Sequence, residues 1–240
     1  MKRCLKPAEP ACLQQFRAEN PSGSWEDLRN EGRDCYGELR QTLFKGQGGL
    51  CAYCEIPIGD NNQQIAHFHP KSDPTTDRNW ALHWANLWLA CKGGTQASSE
   101  KERYLPPLPE NRSCDEHKED RIVDDTVFSP GGIPLYPRLF TFEVDLAKEM
   151  VMMVPEAALD NPQWQQKAQA TIDTFNLNCP RLCKARYGCW EGIVELMDNG
   201  ANVAAVLGQD NGCWPRFFTL IRWQFGQAAE TYLQAISYCG

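Results

Sequence analysis

Apolar residues recur mostly at three- and four-residue spacing in the first part of the chain, a pattern typical of an amphipathic helix. The run follows Ser24, a residue type that commonly caps helices, and comprises Trp25, Leu28, Tyr36, Leu39, Leu43 and Phe44. Three glycines between positions 46 and 49 end the pattern. We therefore predict an N-terminal helical segment over residues 1–48.

The pattern breaks up in the middle of the chain, where glycine, asparagine, proline and aspartate separate short segments. Two short strands near 55–58 and 64–68 are predicted to pair as a hairpin around the turn at 59–61. The apolar run 80–90 predicts the entrance to a helix. The polar, proline-bearing stretch 94–113 predicts an inserted surface loop.

Helical spacing returns in the last third of the chain. A Pro-Gly-Gly and alternating apolar residues in 123–145 first predict a small β element. Helices are then expected at 163–176, 181–198 and 213–236. The fold class that these patterns predict is α+β and mostly helical.

Composition narrows the picture to a folded cytoplasmic protein. The 240 residues are enough to bury a core, and 42% of them are hydrophobic. No stretch approaches the ~20 apolar residues that span a membrane, and the start MKRCLKPAEP lacks the apolar run of a signal peptide. A net charge of −7 disfavours unaided binding to the DNA backbone, so we expect either a local basic patch or a partner.

Twelve cysteines in a cytosolic chain argue against a disulfide framework, so most are expected to be buried thiols. Cys51 and Cys54 form a Cys-x-x-Cys motif, whose spacing lets two thiolates reach one tetrahedral zinc ion. Redox pairs share that motif, but the Glu-Ile-Pro that follows does not begin a helix. Cys91 and Cys114 would complete a Cys4 zinc site, unless they are ordinary buried cysteines.

The order of these residues resembles the zinc-stapled HNH (ββα-metal) nuclease family. His67 and then Asn86 follow the Cys-x-x-Cys motif and precede Cys91 and Cys114. The phrases LCAYCE, HFHPKS, WANLWLAC and CDEHKED are similar in particular to PtuB, the HNH subunit of Septu-type and retron-associated anti-phage defence systems. KPAEPACLQQF, SWEDLR and TIDTFNLNCPRLCKAR extend the resemblance over most of the chain.

The resemblance implies an architecture and an activity. A zinc-stapled ββα-metal module at 49–122 would lie between the helical segment 1–48 and a C-terminal helical region at 123–240. The implied activity is cleavage of DNA phosphodiesters, with RNA as the alternative substrate, by hydrolysis assisted by a single Mg²⁺ or Mn²⁺ ion. Cys51, Cys54, Cys91 and Cys114 would hold the structural zinc.

Site residues carry over position by position. His67 matches the general base, a role suited to imidazole, and Asn86 matches the asparagine that orients its ring. Asp115 matches the ligand of the catalytic metal, and His117 is its alternative. The positions expected to meet the nucleic-acid backbone are His69, Lys71 and Lys118.

One position departs from the family pattern. The residue before the base is usually acidic and binds the catalytic metal, whereas this chain has Ala66, whose methyl group cannot bind a cation. Three explanations remain open: an engineered inactive variant, a metal site rearranged to use His69 or Asp73, or a degenerate nuclease.

The resemblance also implies partners. It predicts a PtuA-like ATPase of the ABC or SMC type and, in the retron-associated branch, a reverse transcriptase with its msDNA. The alternative function is a non-catalytic zinc-binding module that regulates the ATPase, and Ala66 is the main argument for it. Two further features have plainer interpretations: the Trp80, Trp84 and Trp88 stripe as core packing, and the basic RLCKAR stretch as a solvated helix face or a nucleic-acid contact.

Overall fold

The computed structural model describes residues 1–59, 61–95 and 108–240. Part of the predicted turn at 59–61 and most of the predicted loop at 94–113 lie outside the described residues. The helices are α1 (Ala11–Glu19), α2 (Trp25–Asn30), α3 (Arg33–Gln47), α4 (Asp115–Lys118), α5 (Pro162–Thr174), α6 (Pro180–Asp198), α7 (Val203–Leu207), α8 (Phe218–Phe225) and α9 (Gln227–Ala235). The strands are β1 (Gln64–His67), β2 (Leu87–Ala90), β3 (Phe140–Asp145) and β4 (Met150–Pro155).

A helix begins after Ser24, as the sequence predicts, but the predicted run divides after Asn30 into α2 and α3. The Ser24 hydroxyl accepts from the N–H of Asp27, and the Asp27 carboxylate accepts from the N–H of Ser24, which makes a capping box at the start of α2. α3 ends at Gly48, whose φ of 63° is left-handed. A Cβ there would lie 2.3 Å from the Trp214 ring, so only glycine fits. A disulfide between Cys12 and Cys35 joins α1 to α3.

The central sheet pairs differently from the prediction. β1 pairs antiparallel with β2, with His67 opposite Leu87 and Gln64 opposite Ala90. The segment predicted as the partner of β1 makes only an isolated bridge between Leu50 and Pro57. The predicted hairpin is therefore wrong, because the strand of 64–67 pairs with residues 87–90, further along the chain.

The predicted helix at 80–90 is also wrong. Two 3-10 turns, Trp80–Leu82 and Trp84–Asn86, lead directly into β2. All four residues of β2 are buried. A strand that is buried on both faces shows no alternation of apolar and polar residues. The periodicity of such a short apolar run therefore cannot distinguish a strand from a buried helix.

The C-terminal region follows the predicted order of elements. α5 and α6 lie where helices were predicted. The small β element is an antiparallel hairpin of β3 and β4, later in the chain than predicted. The helix predicted at 213–236 divides at Gly226 into α8 and α9. In the part of the chain that the structure describes, no helix is both long enough and apolar enough to cross a membrane.

The central segment packs against the C-terminal region. The rings of Tyr53 and Phe175 stack with their centroids 4.3 Å apart. The buried carboxylate of Glu55, directly after the Cys-x-x-Cys motif, accepts from the N–H of Thr219 at 2.9 Å. These contacts fix the turn of the Cys-x-x-Cys motif against the end of α5 and against α8. The central segment and the C-terminal region therefore share one core.

Candidate metal centre and catalytic cleft

Four buried cysteines converge on one point of the core. The Sγ atoms of Cys51, Cys54, Cys91 and Cys114 all lie within 4.8 Å of one another. Individual pairs are 3.7 to 3.8 Å apart. In a tetrahedral site with Zn–S bonds of about 2.3 Å the sulfurs lie about 3.8 Å apart. The cluster could therefore hold a structural metal such as zinc.

Local backbone geometry brings the four thiols together. Cys51 and Cys54 lie on the turn after α3, Cys91 follows β2, and Cys114 precedes α4. The N–H of Cys91 donates to the Cys51 sulfur at 3.3 Å. The N–H of Cys114 donates to the carbonyl of Phe175 at 2.8 Å, which fixes the last cysteine against the end of α5.

A buried arginine lies beside the cysteine cluster. Arg181 donates to the hydroxyl of Ser113 at 2.8 Å. Burial alone would lower the pKa of Arg181, but the nearby sulfurs, that of Cys91 above all, raise it. Arg186 is buried as well, and it donates to the carbonyl of Leu177. The interpretation of the RLCKAR stretch as a solvated face or nucleic-acid contact is therefore wrong at both arginines, which are partnered in the interior.

An open cleft of about 580 Å³ lies between α2, α3, β1 and α4. His67, Asp115 and Lys118 all line it. Five lysine or arginine residues and four acidic residues contribute to its walls. The basic residues are Arg29, Lys71, Lys92, Arg112 and Lys118. A chain with a net negative charge thus gathers positive side chains around this cleft.

His67 is held by the backbone and by an aromatic ring. Its Nε2 lies 3.0 Å from the carbonyl oxygen of Ala81, so Nε2 carries the proton and donates it. The Trp25 ring meets the imidazole edge-on, with centroids 4.6 Å apart. Burial lowers the pKa of His67 to about 4. The neutral ring therefore keeps the lone pair of Nδ1 to accept a proton.

Asn86 does not bond the ring of His67. Its side-chain oxygen accepts from the N–H of His69 at 2.6 Å, and its amide donates to the carbonyls of His69 and Trp80, both at 2.9 Å. The expectation that Asn86 orients the imidazole directly is corrected, because a backbone carbonyl occupies Nε2 instead. Asn86 instead joins His69 to Trp80, the two ends of the segment that runs from β1 to Ala81.

Asp115 and Lys118 line the cleft from α4. Burial raises the pKa of Asp115 to about 6, although Lys118 acts in the opposite direction. The Lys118 ammonium lies 3.8 Å from the Asp115 carboxylate and donates to the Glu119 carbonyl at 2.7 Å. Burial lowers the pKa of Lys118. Lys118 is therefore a buried cation on the cleft wall.

Ala66 is fully buried on β1, opposite Trp88, and does not line the cleft. Neither His69 nor Asp73 lines the cleft, so the structure gives no support to a metal site rearranged to use His69 or Asp73. The two nitrogens of His69 face different carboxylates, Asp73 at 2.8 Å and Asp124 at 2.9 Å, on opposite edges of the ring. Among the described residues, the cysteine cluster is the one group of three or more such ligands that converges.

Two other sequence-based assignments change. His69 is buried between two carboxylates and stacks on Trp80, so it is not placed to meet a phosphate at the surface. His117 turns Nδ1 towards the carbonyl of Thr174 at 2.9 Å and does not line the cleft, so it is a poor substitute for Asp115. Lys71 is exposed at the cleft, where it pairs with Glu26 at 2.8 Å.

Sequence reasoning missed the contribution of the N-terminal helices to the cleft. Trp25, Arg29 and Tyr36 line one wall of it, and Lys92 and Arg112 line another part. The apolar spacing assigns the tryptophan and the tyrosine only to the core face of a helix. Nothing in the local pattern distinguishes a helix face that packs on a core from one that also borders a cleft.

Comparison with known proteins gives two curated relatives. The chain is 34% identical over 208 residues to the "Retron Ec83 putative HNH endonuclease" of Escherichia coli, and the match covers 78% of each protein. It is 24% identical over 164 residues to the "Retron Vc95 putative HNH endonuclease" of Vibrio cholerae serotype O1 biovar El Tor, covering 66% of each. No protein-family model matches the chain.

Proposed function

Because this chain belongs to the HNH endonucleases of retrons, we propose that it hydrolyses DNA phosphodiesters with His67 as the general base. The observation that supports this role is the hydrogen bond from Nε2 to the carbonyl of Ala81. Nδ1 is then the proton acceptor on a ring that lines the cleft. Nδ1 would take a proton from the water that attacks the phosphorus, and the P–O bond to the leaving oxygen would break.

The proposed catalytic cation is Mg²⁺ or Mn²⁺, with Asp115 as its protein ligand. Mg²⁺ is commonly bound by one or two carboxylates, with water and substrate phosphate completing its shell. A bound cation would stabilise the negative charge that develops on the phosphate oxygens. Asp115 fits that role because its carboxylate lines the same cleft as His67. Ala66 supplies no second carboxylate, so we propose that this chain binds the ion weakly and is inactive or nearly so.

The cysteine cluster is proposed to hold a structural zinc ion. All four ligands are buried and none of them lines the cleft, which suits a closed structural site without a position for substrate. By joining the turn after α3, the end of β2 and the start of α4, the ion would fix the position of Asp115, the residue next to Cys114, in an HNH module.

DNA is the proposed substrate, and RNA is the alternative. Lys71, Lys92 and Arg112 at the cleft provide the positive charge that phosphate contacts require. Such contacts are made with the phosphates of the nucleic acid, which DNA and RNA share, so they do not distinguish the two substrates. Preference for DNA rests on the family resemblance.

We propose that the protein acts in the cytoplasm as part of an anti-phage defence complex. The names of the two relatives support a retron setting. A reverse transcriptase and its msDNA are partners that the sequence resemblance implies. A PtuA-like ATPase of the ABC or SMC type is the further partner that the sequence resemblance implies. The net charge of −7 supports dependence on a partner that concentrates nucleic acid at the cleft.

A second candidate function is a non-catalytic zinc-binding subunit that regulates the ATPase, and Ala66 favours it. The test compares the chain with Ala66→Glu, in the presence of the partner ATPase and Mg²⁺, on labelled DNA. The nuclease function predicts cleavage by the Ala66→Glu variant and little or none by the unchanged chain. Because Ala66 is buried outside the cleft, Mn²⁺ affinity is measured as well. A folded, zinc-loaded Ala66→Glu protein that binds Mn²⁺ more tightly than the unchanged chain and still does not cut DNA would favour the regulatory function.

A further inference from the structure

A second histidine near the cleft connects two carboxylates. The Nδ1 of His69 lies 2.9 Å from the Asp124 carboxylate, and its Nε2 lies 2.8 Å from the Asp73 carboxylate. Each ring nitrogen thus faces a carboxylate oxygen at hydrogen-bond distance, and the ring itself is buried. The two carboxylates therefore fix the orientation of the imidazole from two sides.

The carboxylates come from different parts of the chain. Asp73 lies four residues after His69, and it also accepts from the N–H and the hydroxyl of Thr75, at 2.9 and 3.0 Å. Asp124 lies beyond α4, 55 residues from His69. The imidazole therefore joins the segment after β1 to a segment that is distant in sequence.

The same imidazole supports the backbone next to the partner of His67. His69 and Trp80 stack with their centroids 4.0 Å apart, at an interplanar angle of 27°. Asn86 binds the carbonyls of both residues. Trp80 directly precedes Ala81, whose carbonyl accepts from His67. The stacked His69 ring and the Asn86 amide thus both hold Trp80, and with it the Trp80–Ala81 backbone.

We propose that His69 is a positioning residue for His67. Fixed between Asp73 and Asp124, it holds the Trp80–Ala81 backbone so that the Ala81 carbonyl keeps the proton of His67 on Nε2. The other tautomer would put that proton on Nδ1, the nitrogen that must accept a proton from water. The consequence for cleavage rests on the proposed nuclease function, whereas the control of the tautomer does not.

The tautomer can be measured directly, because the chain has only four histidines. Long-range ¹⁵N–¹H NMR spectra of the whole, metal-loaded chain should show His67 as one tautomer, protonated on Nε2. His69→Gln has a donating NH2 group at one position only, because the other terminal atom is an oxygen that accepts, so it cannot reproduce a ring whose two nitrogens face Asp73 and Asp124. It should give a mixture of both tautomers at His67. In the Ala66→Glu background the same change should lower kcat in proportion to the share of His67 that leaves the Nε2–H tautomer, about twofold for an equal mixture, and leave KM nearly unchanged.

His83→Gln is the matched control. His83 meets the same Trp80 ring edge-on at 5.5 Å but is not part of the Asp73–Asp124 arrangement. It should leave both the His67 tautomer and kcat unchanged. If His69→Gln does not fold, Asp124→Asn replaces it, because the Asp124 side chain is 36% exposed and the change removes only one charge.

The outcomes separate the two proposals. A folded His69→Gln or Asp124→Asn protein with His67 still in the single Nε2–H tautomer would overturn the positioning role. A shifted tautomer in a protein whose Ala66→Glu version never cuts DNA would support the positioning role and count against the nuclease function. A shifted tautomer together with a loss in kcat would support both.

Discussion

His67 and Asp115 line the same cleft, and burial favours the neutral form of each side chain. For the imidazole this lowers the pKa to about 4, and for the carboxyl it raises the pKa to about 6. A proposed base therefore stays neutral at physiological pH, while a proposed metal ligand gains its charge only as the pH rises through 6.

Cleavage by the Ala66→Glu protein should accordingly increase with pH between about 5 and 7, and the group responsible should be Asp115. Ionised Asp115 is needed to bind the cation, and His67, with a pKa of about 4, is already unprotonated throughout this range. The measurement is Mn²⁺ affinity by calorimetry and kcat/KM at low Mn²⁺ over this pH range. An acid limb that persists unchanged in Asp115→Asn would assign the titration to another group and contradict this account.

Individual residues were predictable where spacing alone defines the chemistry. The four cysteines converge as predicted, and His67 lines a cleft together with Asp115. The family resemblance placed His69 at the phosphate, whereas the structure buries it between Asp73 and Asp124. Asp124 lies 55 residues away, so no local pattern indicates this pairing. Asn86 was predicted to orient the His67 ring, but the Ala81 carbonyl, 14 residues beyond His67, takes that position. No local sequence pattern indicates this contact.

At the scale of elements, the pairing of β1 with β2 is the feature on which the site depends. β1 carries His67, and β2 leads into Cys91. The register between β1 and β2 was not predictable from the sequence. The apolar residues of β2 show no alternation, and the 3-10 turns before it have the same apolar spacing as a helix. The long helices α5 and α6 were predictable because their apolar faces recur over several turns.

Asn86 stabilises this pair of strands through the segment that joins them. Asn86→Ala would leave the N–H of His69 and the carbonyls of His69 and Trp80 without their side-chain partner. We expect a loss on the order of 3 kcal/mol in the free energy of unfolding, measured by urea denaturation. Gln41→Ala, at an exposed position of α3, is the control and should change it by less than about 0.5 kcal/mol. A change as small as the control in Asn86→Ala would show that these hydrogen bonds contribute little.

At the scale of the whole molecule, the cleft belongs to no single segment. Trp25 and Arg29 come from α2, His67 from β1, and Asp115 and Lys118 from α4. The order of motifs along the sequence indicates the central site residues, but the wall formed by the N-terminal helices arises only from tertiary packing. That packing places the edge of Trp25 against the proposed base.

The cysteine cluster should make the folding of the whole chain depend on metal. Purified protein should contain about one zinc ion per chain, measured by mass spectrometry, because four buried thiols at these separations match its tetrahedral shell. Removal of the ion with a strong chelator should lower the melting temperature and release protected amides in β2 and α4. Cys213→Ser, outside the cluster, is the control and should keep the zinc. Metal-free protein with an unchanged melting temperature would contradict a structural zinc.

The most direct test of the account compares DNA cleavage by Ala66→Glu with cleavage by the double variant Ala66→Glu/His67→Ala, with the partner ATPase, in Mn²⁺ and at equal zinc content. We predict that the single variant cuts, and that the double variant loses at least about a hundredfold in rate while it stays folded. Equal cleavage by the two proteins would contradict the assignment of His67 as the general base.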